Sequence, residues 1–439
     1  MSAIEEFGRK TREKYFSFNK QYHPLNHGSF GAFPKSVRNY QRTLQDEIES
    51  YPDTFLRYTY PDLLGESRRA ISPLLGVEAD EVVFVPNATT GINTVLRNLV
   101  YEKGDVVVYF STIYGACEKT LQSICESSHV GLEMFRVEID YPIEDEDIIS
   151  KFSGAVEQLR KNERKIKLAI FDTVATLPGV AFPWEAMVKV CKDLGVLSLI
   201  DGAHGIGHID LSHLGQVGPD FFVSNCYKWL YVPRGCAILH VPIRNQELIR
   251  TTLPTSKSFQ LAKDSLKSNY FVEIFQKVST IDPTPYICIP EALRFRQVVC
   301  GGEENIRSYC QTIALTGGQR MAEILHTEIL ENQSGSINKS CFVNVRLPLQ
   351  IAQTSVTVSV KSEIEHFSIS SSDAPKIAKW VEETSIKEYD TMIITKYYSG
   401  GLWARISGQI YLEMADFEWA AQRLKDLCLR VEQGHWNQV

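Results

Sequence analysis

Between about residues 80 and 240, short runs of β-branched and apolar residues alternate with longer amphipathic stretches. The runs are EVVFVPN (81–87), DVVVYF (105–110), LAIFD (168–172), VLSLID (196–201), FFVSN (221–225) and CAILHV (236–241). Such nearly continuous apolar runs are what strands buried on both faces require. Their alternation with helical stretches predicts an α/β domain on a mainly parallel sheet, with chemistry at the carboxyl ends of the strands. A chain of 439 residues can also bury a second, smaller core. The segment GGEENIRSYCQTIALTGGQRMAEIL (301–325) predicts a long helix, and CFVNVRLPL, TMIITKYY and LWARISG predict strands beyond it. The expected division is an N-terminal arm over 1–25, a large domain over 26–300 and a small C-terminal α+β domain over 301–439, with loops at 261–270 and 331–340.

Charged residues at 23% and a net charge of -7 lack the basic excess of a phosphate-backbone binder, which argues against a nucleic-acid partner. No stretch is long and apolar enough to span a bilayer as a helix. The opening MSAIEEFGRKTREKYFSF has neither the apolar core of a secretory signal nor the acid-poor character of a transit peptide, so the cytosol is the expected compartment. Ten cysteines without a C-x-x-C pair or a paired Cys/His spacing read as reduced core residues, and no metal site is expected.

The strand ends carry a pattern. VLSLID closes on Asp201 and enters a glycine-containing turn; one strand later, FFVSN leads into CYKWLYVPRG, which sets Lys228 beside Trp229. A carboxylate at such a place can keep a pyridine nitrogen protonated. A lysine among aromatics loses its charge more readily and can form an imine with an aldehyde. Each has an ordinary alternative, a turn-forming aspartate and a lysine stem lying over aromatic rings; their pairing on successive strand ends favours the chemical reading. Asn87, Ala88, Thr89, Thr90 and Gly91 form a small-residue turn into a helix, where N–H groups and hydroxyls can cradle a phosphate. Tyr114 follows a strand and is placed to lie flat over a planar ring. Asp172, Thr173 and Thr176 lie past another strand end, where one of the three can meet the phenolic oxygen of such a ring, and the sequence leaves open which. Arg405, in the strand-like LWARISG, needs an anionic partner, either a substrate α-carboxylate or an internal Asp or Glu.

Assembled, these residues resemble the class-V aminotransferase group, which includes isopenicillin N epimerase-like proteins and relatives of cysteine desulfurases. The resemblance is carried by LNHGSFGAFP (25–34), FVPNATTGINTVLRNL (84–99), YGACEKT (114–120), DGAHGIGHIDL (201–211), SNCYKWLYVPRGCAIL (224–239), TIDPTPY (280–286) and RISGQIYLEMADFEWA (405–420). It implies a fold-type I enzyme dependent on pyridoxal 5'-phosphate (PLP), with a seven-stranded, mainly parallel sheet in the large domain and a homodimer with shared active sites. It further implies Lys228 as the imine lysine, Asp201 as the pyridinium partner and Tyr114 as the stacking ring. Ala88, Thr89, Thr90, Thr173, His204, Asn225 and Tyr227 would contact the cofactor, Thr280 would reach its phosphate from the neighbouring subunit, and Asn26, His27, Ser29 and Arg405 would hold an amino-acid-derived substrate.

Within the group the chain is most similar to fungal hercynylcysteine sulfoxide lyases and next to Mannich cyclases of loline-type alkaloid pathways. The lyase resemblance implies β-elimination at a carbon–sulfur bond of a cysteine conjugate, as in ergothioneine biosynthesis; the cyclase resemblance implies γ-elimination or decarboxylation followed by ring closure. Three departures bear on that choice. Tyr227 stands where relatives usually have histidine, Ser279 replaces a glycine, and the stretch 257–275 is shorter than in the lyases. Asn26, His27 and Ser29 keep the lyase form. A cysteine desulfurase needs a mobile nucleophilic cysteine, and the nearest candidate, Cys341, reads as core.

Overall fold

The computed structural model describes residues 6–256, 258–259, 269–278, 280–352 and 369–437. The stretch 257–275 therefore falls largely outside the described residues, and so does Ser279. The six apolar runs become strands β1 (Val82–Val85), β2 (Asp105–Phe110), β4 (Lys165–Asp172), β5 (Leu197–Asp201), β6 (Phe221–Asn225) and β7 (Ala237–His240). A further strand, β3 (Glu133–Val137), completes a seven-stranded sheet in the order β1-β7-β6-β5-β4-β2-β3. Strand β3 lies at the edge and buries only Val137, so its sequence lacks the continuous apolar signature of the others. Neighbours from β6 to β3 run parallel, while β7 is antiparallel to both β6 and β1.

Side-chain alternation along these strands divides the large domain into two apolar layers. On one face Val83, Val107, Ile170 and Leu199 pack against the helices Ala88–Asn98 and Gly115–Ser127. On the other, Val82, Val106, Ala169, Phe171 and Ile200 pack against Tyr60–Ile71, Asp145–Lys161 and Trp184–Asp193. This phase decides which strand-end residues can act together. Asp172 and Asp201 are register partners on β4 and β5 and share the face of Ile170 and Leu199; same-face partners on adjacent strands lie only about 4.8 Å apart at the backbone.

The C-terminal part holds a three-stranded antiparallel sheet, β11 (Ile394–Tyr398), β12 (Gly401–Ser407) and β8 (Phe342–Arg346), with a two-stranded pair of β9 (Ile351–Ala352) and β10 (Ile369–Ser370). The long helix Glu303–Leu325 and the helix Met414–Glu432 cover it, Gly317 allowing the ring of Phe417 to close in. Phe16 and Leu25 are buried in this same core, and Arg12 pairs with Asp416 at 2.8 Å, tying the N-terminal segment to the small sheet. Among the described residues no helix is long and apolar enough to cross a membrane.

Candidate active site

Lys228 lies on a one-turn helix, Cys226–Trp229, directly after β6. It is 9% exposed, and its Nζ is 3.2 Å from His204 Nε2. Burial lowers its ammonium to about 8, against the pull of Asp201. Asp201 ends β5 and is held through both oxygens: Oδ1 accepts from Ala203 N at 3.0 Å and Oδ2 from Cys117 Sγ at 3.2 Å. Beside it, Asp172 has its carboxyl raised well above the usual range, first by burial and then by Asp201. Sequence reasoning placed Asp172 among three candidates past its strand end and passed over Cys117. The strand-end logic that picked out Asp201 applies equally to Asp172, the last residue of LAIFD.

Thr173 stands apart from Asp172. It follows Asp172 and so turns to the opposite side of the sheet, where it borders a separate cavity of about 500 Å³ with Phe182, Trp184 and Arg307. Period-2 alternation makes Asp172, not Thr173, the neighbour of Asp201 and Lys228. Thr176 serves through its backbone, its carbonyl accepting from Arg405 Nη1 at 2.5 Å.

At the small-residue turn, the N–H of Ala88 goes to Asn225 Oδ1 (2.8 Å) and that of Thr90 to the Asn87 cap (2.8 Å). Asn225 thus ties this turn to the end of β6, and Thr89 is left with an N–H and a hydroxyl that have no partner among the described residues. Thr89, Thr90 and the exposed Thr280 line one cavity of about 690 Å³, with Arg57, Arg97 and Lys277 on its walls. That cavity borders the turn and does not reach Lys228. Tyr114 caps the helix Gly115–Ser127 and is 48% exposed. Tyr227 is half-buried, and its phenol is raised by burial first, then by Tyr114 and Asp201.

The small domain contributes Arg405, 3% exposed on β12. Its Nη2 donates to Asn26 Oδ1 (3.1 Å) and Ser29 Oγ (3.2 Å), and its guanidinium lies 4.6 Å over the Phe342 ring. No carboxylate pairs with it among the described residues, and its Nε is buried without an acceptor. Burial accordingly lowers its pKa to about 10. Gly179, at φ 89°, makes room for this side chain: a Cβ there would meet Arg405 Cδ at 2.6 Å. His27 Nδ1 is bound to Tyr411 OH at 2.7 Å, while its buried Nε2 has no hydrogen-bond partner among the described residues. Gly31 lets the segment carrying these residues press onto the lysine turn, since a Cβ there would come within 1.8 Å of the Tyr227 carbonyl oxygen.

This donor set suits PLP. An amine that deprotonates near neutral pH can meet its aldehyde, a buried carboxylate its ring nitrogen, and the free groups of Thr89 at a helix N-terminus its phosphate. None of the ten cysteines is exposed; Cys341 is buried in the small-domain core, and burial raises its thiol.

The chain is 36% identical to an L-cysteine desulfhydrase-like protein of Epichloe uncinata, over 96% of both chains. It is 31% identical to the hercynylcysteine sulfoxide lyase of Schizosaccharomyces pombe, over 98% of this chain and all of that protein. A solved structure of the cystine C-S lyase C-DES with its reaction product cysteine persulfide superposes with a TM-score of 0.71 at 17% identity, covering 93% of this chain and 98% of that one, which bears on the fold alone. The aminotransferase class-V profile matches residues 58–349, and with these relatives the chain belongs to the class-V aminotransferase family of PLP-dependent enzymes.

Proposed function

We propose that this enzyme cleaves the carbon–sulfur bond of a cysteine S-conjugate, in its sulfoxide form, by β-elimination. The observation that carries the reading is Arg405: a buried guanidinium whose bonds go to neutral acceptors and whose Nε has none. A planar fork of donors in that state is complementary to an α-carboxylate. Asn26 and Ser29 hold the fork from the side, so a carboxylate bound there fixes the orientation of the substrate's α-carbon.

PLP, when bound, supplies an electron sink for negative charge developing at that carbon. Asp201 would hold the proton on the ring nitrogen, with its carboxylate oriented by Ala203 N and Cys117 Sγ. The Lys228 amine, brought by burial to about 8, would take the α-proton at Nζ. Thr89 would anchor the phosphate, and Tyr114 with Tyr227 would flank the ring and limit access of water. Loss of the β-substituent would leave a fragment that decays to pyruvate and ammonia.

The test is direct. Purified holoenzyme incubated with cysteine S-conjugates and their sulfoxides is expected to release pyruvate and ammonia in equal amounts, and no pyruvate from any of them would sink the proposal. The competing cyclase reading draws on Tyr227, a phenol in place of the usual imidazole. Mass spectrometry of products from an N-alkylated amino acid separates the two, because cyclisation keeps the carbon skeleton that elimination breaks.

A further inference from the structure

Two contacts fix where the His204 ring carries its proton. Trp229 Nε1 lies 3.1 Å from His204 Nδ1, and an indole N–H can only donate. His204 Nδ1 must therefore be bare, and the one proton of a neutral imidazole sits on Nε2. That nitrogen faces Lys228 Nζ at 3.2 Å. An Nε2–H donates in its turn, so the lysine nitrogen has to receive it on a lone pair. An ammonium has three donors and no lone pair, and finds no acceptor at this ring.

The arrangement is held from behind. The Trp229 ring stacks on His208 at 4.0 Å, and the Trp229 carbonyl accepts from Arg296 Nη1 at 2.8 Å. His208 Nε2 accepts from the Cys341 N–H at 2.7 Å, which leaves its Nδ1–H to donate to the His204 carbonyl at 2.8 Å. All three rings are buried.

We infer that Trp229 is a positioning residue which locks His204 in the Nε2–H tautomer, so that His204 favours the free amine of Lys228 and does not act as a base toward it. The titratable and charged groups facing the pair are Asp172 and Asp201 at the strand ends, Cys117, Arg405, His27 and His208. Burial and then Lys228 itself hold His204 well below the ordinary histidine range, which keeps the ring neutral around pH 7. The catalytic meaning of the lock rests on Lys228 being the reactive amine of the proposed function; the tautomer does not.

Apoprotein labelled with ¹⁵N-histidine tests it, with the His204 signals assigned by their loss in His204→Gln. The expected spectrum has a protonated Nε2 and a bare Nδ1. A protonated Nδ1, alone or with Nε2, would overturn the inference. Trp229→Phe removes the donor, and the Lys228 amine, followed by the pH dependence of its acetylation in the apoprotein, should become roughly fivefold less reactive at pH 7, the scale of one lost net hydrogen bond. An unchanged Lys228 titration in Trp229→Phe would equally overturn it. A locked tautomer together with no pyruvate from any cysteine conjugate would sink the proposed reaction and leave this inference standing.

Discussion

Two arginines are buried at the junction of the large and small domains, Arg296 at 1% exposure and Arg405 at 3%. Arg296 meets both oxygens of Glu303 at 2.5 Å and donates to the carbonyls of Trp229 (2.8 Å) and Gly207 (3.3 Å). Burial works against its charge, but Glu303 outweighs it and the guanidinium is raised above its ordinary value. Arg405 has the same burial and a similar ring beneath it, with Thr176, Asn26 and Ser29 as neutral acceptors and no carboxylate paired with it among the described residues. An uncompensated buried charge is costly to a fold. Under the proposed function, the charge that the chain leaves open is the one a substrate carboxylate would meet.

The largest test of that contrast removes each arginine in turn. Arg405→Ala should lower kcat/KM for a carboxylate-bearing substrate by the equivalent of about 2–5 kcal/mol, tens- to thousands-fold. Its urea midpoint should move less than that of an Arg296 variant, since no ion pair of Arg405 among the described residues is broken with it. Arg296→Ala should do the reverse and cost about 3–5 kcal/mol of stability, because Glu303 and two buried carbonyls lose their partner. If the two variants trade these behaviours in urea unfolding and steady-state assays, the distinction between a structural and a ligand-binding arginine is wrong.

Asp172 extends the contrast to anions. Its folded pKa is raised by burial and by Asp201, so its contribution to stability is fully present below the unfolded value of about 3.9. That contribution is lost as pH rises toward the folded pKa, at about 1.4 kcal/mol per pH unit crossed in that window. Asp172→Asn removes the titration while keeping the shape. Thermal melts of the apoproteins should coincide near pH 4 and then separate, the variant becoming the more stable as pH rises. A variant that loses ground to the wild type with rising pH would show that Asp172 is ionised and paired in the native protein.

How much of this was legible in the sequence follows the same physics. Strands buried on both faces announce themselves, so six strands and the positions of Asp201 and Lys228 were readable, whereas edge strand β3, with its exposed Glu133 and Arg136, was not. Asp172, Thr173 and Thr176 stayed unseparated because a strand end was treated as one location, although successive side chains there point to opposite faces. Cys117 lies inside the helix Gly115–Ser127, and its bond to Asp201 depends on packing between that helix and β5 that no local pattern encodes. The open state of Arg405 was equally out of reach, since the absence of a carboxylate partner depends on how distant segments meet.

Cys117 offers the smallest and most discriminating effect. Asp201, 2% exposed, has each oxygen satisfied from within the chain, one by a backbone N–H and the other by this thiol. It therefore stands between Arg296, partnered within the chain, and Arg405, left open: anchored by the chain and, under the proposed function, the partner of the ring nitrogen. A thiol is a weak donor, so Cys117→Ser should keep the bond and Cys117→Ala should lose it. For the alanine variant the expected cost is about 1 kcal/mol, seen as roughly fivefold weaker retention of PLP when the absorbance of bound cofactor is followed on dilution. Serine should restore retention; a volume effect alone would not separate the two, because serine and alanine differ far less in size than either does from cysteine. Equal retention by all three proteins would mean that Asp201 is oriented by Ala203 and the strand alone, and that the thiol merely fills space.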